Sequence, residues 1–216
     1  MPVHVAAGTN KVVNGTGSFT AAVKYFRSGK LYLRVALWAA AGALVGSSIG
    51  ARIALLIPDR VLRLLMMAAL PLVAVFLAVR KDFGKTAEEE PQIPPGRERL
   101  MGILIGLAMG CYDGLVGPGT GTFMIMGFTA LLNMDLITAS GCAKVGNLAS
   151  NFAAAVVFAL SGNIWWAVVI PAALSNMLGN YCGAQYAIKG GSGKVRHMIF
   201  VVLGMLFIKM IWDTIM

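Results

Sequence analysis

Long apolar runs, separated by short polar gaps, dominate the chain. They predict helices at about residues 12–28, 32–57, 61–80, 101–133, 137–160, 164–188 and 197–215. A helix needs about 20 residues to cross a bilayer. The first run is marginal and carries Lys24 and Arg27 near its end, whereas the run at 101–133 is too long for one simple span. That run is broken at Gly117, Pro118, Gly119, Thr120 and Gly121, because proline and clustered glycines disrupt helix. At membrane depth, free backbone groups are tolerated only where protein or water covers them. The break therefore reads as a broken helix or re-entrant segment lining a cavity. The long polar stretch at 80–100 holds Arg80, Lys81, Lys85, Arg97, Arg99, the acidic run Glu88 to Glu90 and three prolines, and reads as a linker. The expected fold is all-α: a polytopic transmembrane helical bundle.

The pattern also repeats. Shifted by 133 residues, positions 8–67 lie over 141–200 without a gap, with 18 identities in 60 positions. Gly8, Lys11, Val12, Asn14 and Phe19 fall on Gly141, Lys144, Val145, Asn147 and Phe152; Ser28-Gly29 falls on Ser161-Gly162; Gly46, Gly50 and Ala51 fall on Gly179, Gly183 and Ala184. Shared apolar composition does not account for matched Lys, Asn and Gly, so two homologous repeats are expected. The expected divisions are a first repeat at 1–80, a linker at 81–100 and a second repeat at 101–216. Residues 101–140 have almost no counterpart before Gly8, so the N-terminal part of the first repeat is expected to be missing.

Composition supports a membrane setting. Hydrophobic residues make up 58% of the chain and charged residues 12%, with mean hydropathy +0.77. Soluble domains are about 25% charged. The net charge of +9 does not point to nucleic acid, since the basic residues sit mainly in gaps between apolar runs. Lys24, Arg27, Lys30 and Arg34 crowd one loop, while the equivalent stretch at 157–167 carries no base. By the positive-inside rule the two loops lie on opposite sides, with the linker and Lys189, Lys194 and Arg196 cytoplasmic. The repeats are then inverted, each crossing three times. Arg60 and Arg63 fit that scheme poorly, and a parallel, four-crossing repeat is the alternative. Cys111, Cys142 and Cys182 form no CxxC pair and read as buried thiols. No nucleophile–base pair, metal cluster or cofactor motif is visible, so neither an enzyme nor a cofactor is expected.

Two elements can carry chemistry. Lys144, Asn147 and Asn151 are spaced i, i+3, i+7 and share one helical face in an apolar segment; Lys11, Asn14 and Ser18 repeat the geometry. A lysine within a span costs roughly 2.5–3.5 kcal/mol on insertion scales. It needs an anion, a partner or a route to the interface. The second element is the Gly117–Gly121 break. Backbone N–H groups freed at a helix start suit an anion, with Thr120 and Thr122 adding hydroxyls. It is equally readable as a kink for close packing. Asp113 can hold a coupling proton or bond the turn. The Gly46/Gly50 and Gly179/Gly183 pairs read as faces for close helix packing.

The segments HVAAGTNKVVNGTGS, YDGLVGPGTGTFM and GCAKVGNLASNFAA together resemble the sulfite exporter TauE/SafE family of bacterial membrane permeases. The resemblance runs over nearly the whole chain, with the motifs in order. It implies a duplicated, multi-pass helical transporter of the bacterial inner membrane, carrying sulfite, organosulfonates or related sulfur compounds. It also makes the polar and glycine positions of those motifs the binding candidates: Thr9, Asn10, Lys11, Asn14, Asp113, Gly117, Gly119, Thr120, Gly121, Lys144, Asn147 and Asn151. The expected partners are the lipid bilayer, a small anionic substrate, a coupling proton or sodium ion, and further copies of the chain in a homo-oligomer. A passive anion channel and a non-transporting membrane subunit are the rival readings.

Overall fold

The computed structural model describes residues 2–68 and 94–215, and among them it contains helices and no strand. In chain order these are α1 (Val3–Arg27), α2 (Leu33–Leu56), α3 (described over 59–68), α4 (Pro95–Leu115), α5 (Thr120–Leu132), α6 (Leu136–Leu160) and α7 (Trp166–Ile215). α7 is interrupted at Gly191, whose φ of 74° is not helical. Most of the expected linker and the second half of the run at 61–80 lie outside the described residues.

Some boundaries differ from expectation. α1 begins at Val3, not near residue 12, because a helix does not stop at polar residues that protein covers: Thr9 and Lys11 are buried, while Asn10 between them is exposed. The long run at 101–133 divides at the expected glycine-proline break into α4 and α5, but α4 starts at Pro95, inside the expected linker. Proline suits that first turn, where its missing N–H leaves no helix bond unmade. Of the three cysteines, Cys142 is buried, Cys111 half-buried and Cys182 exposed.

The distribution of side-chain size is that of a protein solvated by lipid. Many large apolar side chains lie outside: Phe19, Leu37, Val45, Leu56, Phe152, Leu160, Ile170 and Leu178 are all exposed, although Phe128, Phe158 and Met124 are buried. Small ones lie inside, as at Ala36, Ala39, Ala43, Ala139 and Ala143. Helices in lipid gain little by hiding leucine, so small residues at their interfaces allow close packing instead. α2 and α4 show this most plainly. A Cβ added at Gly46 would stand 2.1 Å from the Leu107 carbonyl oxygen, and one at Gly106 would stand 2.1 Å from that of Ala39. Gly42 and Gly50 on α2, and Gly110 and Gly114 on α4, are equally closed. By contrast, Gly179 and Gly183 on α7 meet no described atom within 4 Å, so the close contact expected there is not present among the described residues. Among the described residues two helices, α2 and α6, are long and apolar enough by themselves to cross a bilayer.

The offset of 133 residues recurs in the helices. Val3 + 133 is Leu136 and Arg27 + 133 is Leu160, the ends of α1 and α6. Ser28 and Ser161 then have matching φ/ψ of −92°/2° and −91°/5°, followed by Gly29 at φ 66° and Gly162 at φ 72°. α2 and α7 begin at Leu33 and Trp166, again 133 apart. α1 packs on α7 as α6 packs on α2, and α1 and α6 pack on each other.

Candidate functional site

A polar cavity of about 350 Å³ lies between α1, α5, α6, α7 and the turn joining α4 to α5. α1 contributes Asn10, Lys11, Asn14 and Ser18; α6 contributes Lys144, Asn147 and Asn151; α7 contributes Asn180. Asp113 enters from α4, and residues 117–122 form the remaining wall.

The wall at 117–122 exists because the chain cannot stay helical there. α4 ends at Leu115, and Gly117 and Gly119 take φ of 96° and 83°, in the region glycine adopts without a side-chain clash. Tyr112 locks the turn by donating its hydroxyl to the Pro118 carbonyl at 2.6 Å. The Thr120 hydroxyl lies 2.7 Å from the Gly117 carbonyl and 3.1 Å from Asp113 Oδ1. No side chain caps the start of α5 at Gly119. Helix geometry leaves the first N–H groups without helical partners; that of Thr120 turns back to the Gly117 carbonyl at 3.3 Å, and Gly119, Thr120, Gly121 and Thr122 all line the cavity.

The two lysines are held differently. Lys11, 5% exposed, forms an ion pair with Asp113, 4% exposed, at 3.0 Å, and also donates to the Asp113 backbone carbonyl. Ser150 of α6 donates to the other carboxylate oxygen. Ser47 of α2 in turn donates to the Ser150 carbonyl at 2.6 Å. Asp113 therefore ties α1, α4, α5 and α6 together. Lys144 meets a neutral partner: it donates to Asn180 Oδ1 at 2.9 Å. Asn180 donates onward to Asn176 Oδ1 at 2.9 Å, and Asn176 donates to Asn14 Oδ1 at 3.3 Å. Glycine makes room for that chain, since a Cβ at Gly17 would fall 1.7 Å from Asn176 Oδ1.

Two amides in the wall are incompletely used. Asn151 donates to the Asn147 carbonyl at 2.7 Å. Yet Asn147 Oδ1 and Asn151 Oδ1 are both buried with no hydrogen-bond partner among the described residues. Buried polar atoms are nearly always paired, and the two ends of an amide exchange on rotation. Hence each side chain can turn either its oxygen or its NH₂ group to whatever occupies the cavity. A methyl at Gly121 would approach Asn147 Nδ2 to 2.9 Å, so glycine keeps that amide uncovered.

Sequence comparison fixes the family. The model of the sulfite exporter TauE/SafE family matches residues 1–210. This chain belongs to that family. A probable membrane transporter protein of Sinorhizobium is 29% identical to this TauE/SafE chain over 213 residues, covering 99% of the chain and 80% of the relative. A probable membrane transporter protein of Haemophilus influenzae is 29% identical over 217 residues, covering 99% and 82%. The probable membrane transporter protein YfcA of Escherichia coli K12 is 27% identical over 213 residues, covering 97% and 76%. No solved structure matches. TauE/SafE membership makes this a protein of a membrane transporter family and the bilayer its solvent.

Of the positions singled out in the TauE/SafE motifs, Asn10, Lys11, Asn14, Asp113, Gly117, Gly119, Thr120, Gly121, Lys144, Asn147 and Asn151 all line the one cavity. Thr9 does not. Its hydroxyl donates to Val5 O at 2.6 Å and accepts from the Trp165 N–H at 2.9 Å, fastening α1 to the α6–α7 turn. Asn176 and Asn180 were not legible as site residues. The offset of 133 sets them on Ala43 and Ser47, so it gave no matching amide to follow. The available signal was two amides one turn apart in an apolar segment.

Proposed function

We propose that this TauE/SafE protein is a permease for a small anion, a sulfur oxyanion such as sulfite or an organosulfonate, and that the polar cavity is its binding site. The observation that carries the reading is convergence. Two lysines, an amide chain and an uncapped helix start, from separate parts of the chain, meet around one cavity. Lys144 supplies positive charge, Asn14, Asn147 and Asn151 supply amide donors, and the Gly117–Gly121 turn offers the backbone N–H groups of Gly119 and Gly121, those of Gly117 and Thr120 being bonded to the Tyr112 and Gly117 carbonyls. Lys11, held by Asp113, sets the opposite wall. An anion leaving a negative cytoplasm gains about 2.3 kcal/mol per charge per 100 mV, so export can run without a coupled ion, whereas import needs a proton or sodium ion.

The matching helix bounds support a duplication, and the loop charges support its inverted form, with 80–100 cytoplasmic and 161–164 on the other face. Membrane-impermeant cysteine labelling tests this: the two segments should react from opposite sides, and reaction from one side alone would favour a parallel repeat.

The functional test is flux in liposomes with sulfite and methanesulfonate. Lys144→Met should abolish saturable flux with an unchanged melting curve, because methionine keeps the apolar stem and removes the charge. Lys144→Arg should keep part of it, since charge remains while donor geometry changes. Normal flux in Lys144→Met would refute the site; lost flux with a collapsed melting curve would make Lys144 structural.

A further inference from the structure

Among the described residues, Asp113 is the only carboxylate in the wall of the polar cavity. Ionised, it opposes any anion bound there, because like charges in one small space repel. Its surroundings suit both of its states. Thr120 has one hydroxyl hydrogen and two oxygens to give it to, Asp113 Oδ1 at 3.1 Å and the Gly117 carbonyl at 2.7 Å. With Asp113 ionised, that hydrogen serves Oδ1. With a proton on Oδ1, the hydroxyl turns to Gly117 and its oxygen accepts from the carboxyl group. Ser150 donates to Oδ2 in either state.

Lys11 is held in a way that survives the same change. Its ammonium group bonds Asp113 Oδ1, at 3.0 Å, and the Asp113 backbone carbonyl. The second bond does not depend on the charge of the carboxylate. Glycine leaves the flank of the ammonium uncovered, since a Cβ at Gly117 would stand 3.1 Å from Lys11 Nζ. Both residues line the cavity. The other titratable groups around Asp113 are Tyr112, whose hydroxyl is committed to Pro118, and Lys144 of α6 in the same cavity. α2 presents Ser47, bonded to the Ser150 carbonyl, and α5 presents Thr120. His4, two turns away on α1, is paired with Asp59 instead.

We propose that Asp113 is a proton site and that the anion binds together with one proton. The proton passes from water to Asp113 Oδ1, and the charge of Lys11 turns from the carboxylate to the anion. This rests on the anion-site reading above and adds the coupling ion to it. The unit keeps one net charge throughout: Lys11 faces the carboxylate before binding and the anion after it. No buried charge is left unmatched at either stage. By linkage, the proton strengthens anion binding and the anion strengthens proton binding by the same factor.

The probe is methanesulfonate, which keeps a single negative charge where sulfite itself titrates. Its affinity for the full chain in lipid nanodiscs should fall as pH rises and Asp113 ionises, by up to about tenfold per pH unit for one linked proton. Calorimetry in two buffers of unlike ionisation enthalpy should show uptake of about one proton per anion in that range. Asp113→Asn imitates the protonated acid. It should bind methanesulfonate as the wild type does at low pH, and lose the pH dependence. Should that variant fail to fold, with Lys11 deprived of its counter-charge, the proton count on the wild type decides alone. Binding without proton uptake at any pH overturns the proposal. So does a pH dependence undiminished in Asp113→Asn, which would move the titrating group to Lys144 or Lys11. If methanesulfonate binds at no pH, the anion-site reading itself falls, and this inference with it.

Discussion

Lys11 and Lys144 occupy corresponding positions in sequence and different positions in chemistry. Around Lys11 the protein has built a closed electrostatic unit: a buried carboxylate at 3.0 Å, itself held by Ser150 and Thr120. Around Lys144 it has built an amide relay, Asn180 to Asn176 to Asn14, with no carboxylate in reach among the described residues. A neutral amide satisfies one donor of an ammonium group and leaves its charge in place. The comparison teaches that two residues matched at one offset need not share a task. One lysine is fastened to a carboxylate and the other to an amide, and in the proposed site, while Asp113 is ionised, it is the second that offers its charge to the cavity.

The largest expected effect comes from cutting the closed unit. Asp113→Ala leaves Lys11 buried without a counter-charge and should cost about 3–5 kcal/mol, read from denaturant unfolding in detergent. Adding Lys11→Met should recover much of that loss, because the uncompensated charge goes with it. If Asp113→Ala were as stable as wild type, Lys11 would have another outlet and the contrast with Lys144 would vanish. A smaller loss, about 1–3 kcal/mol, is expected for Asn180→Ala, measured the same way. A cost equal to that of Asp113→Ala would mean that the two lysines are equally dependent on their partners. The smallest effect should be that of Ser47→Ala, which removes one buried hydrogen bond to the Ser150 carbonyl. About 1 kcal/mol is expected, with anion binding unchanged, since Ser47 touches the site only through Ser150.

Much of this arrangement was legible before any coordinates. The period of the apolar runs located the helices, and the glycine-proline string located the turn between α4 and α5. The i, i+3, i+7 spacing put Lys144, Asn147 and Asn151 on one wall, because helical geometry is local and sequence records it directly. Pairings across the fold were not legible. Lys11 and Asp113 are 102 residues apart, and nothing in either motif says that one closes on the other. Thr9 misled for the same reason: it lies beside Asn10 and Lys11 in the chain, but its hydroxyl answers the backbone of Trp165. Likewise the glycines of α2 and α7 look alike in sequence, and only packing tells Gly46, closed on Leu107, from Gly179, which meets no described atom.

The glycine seam between α2 and α4 has a mechanical consequence. Main chain rests on main chain there, turn after turn, with no side chain between to tilt or swing. Sliding by part of a turn would drive backbone atoms into each other, and the next equivalent register is a full turn away, about 5.4 Å. The pair should therefore behave as one girder in any transport cycle, with motion confined to the helices around it. Probes attached at the outward-facing Val45 and Leu104 should hold a single separation under every ligand condition, even while probes across the polar cavity change theirs.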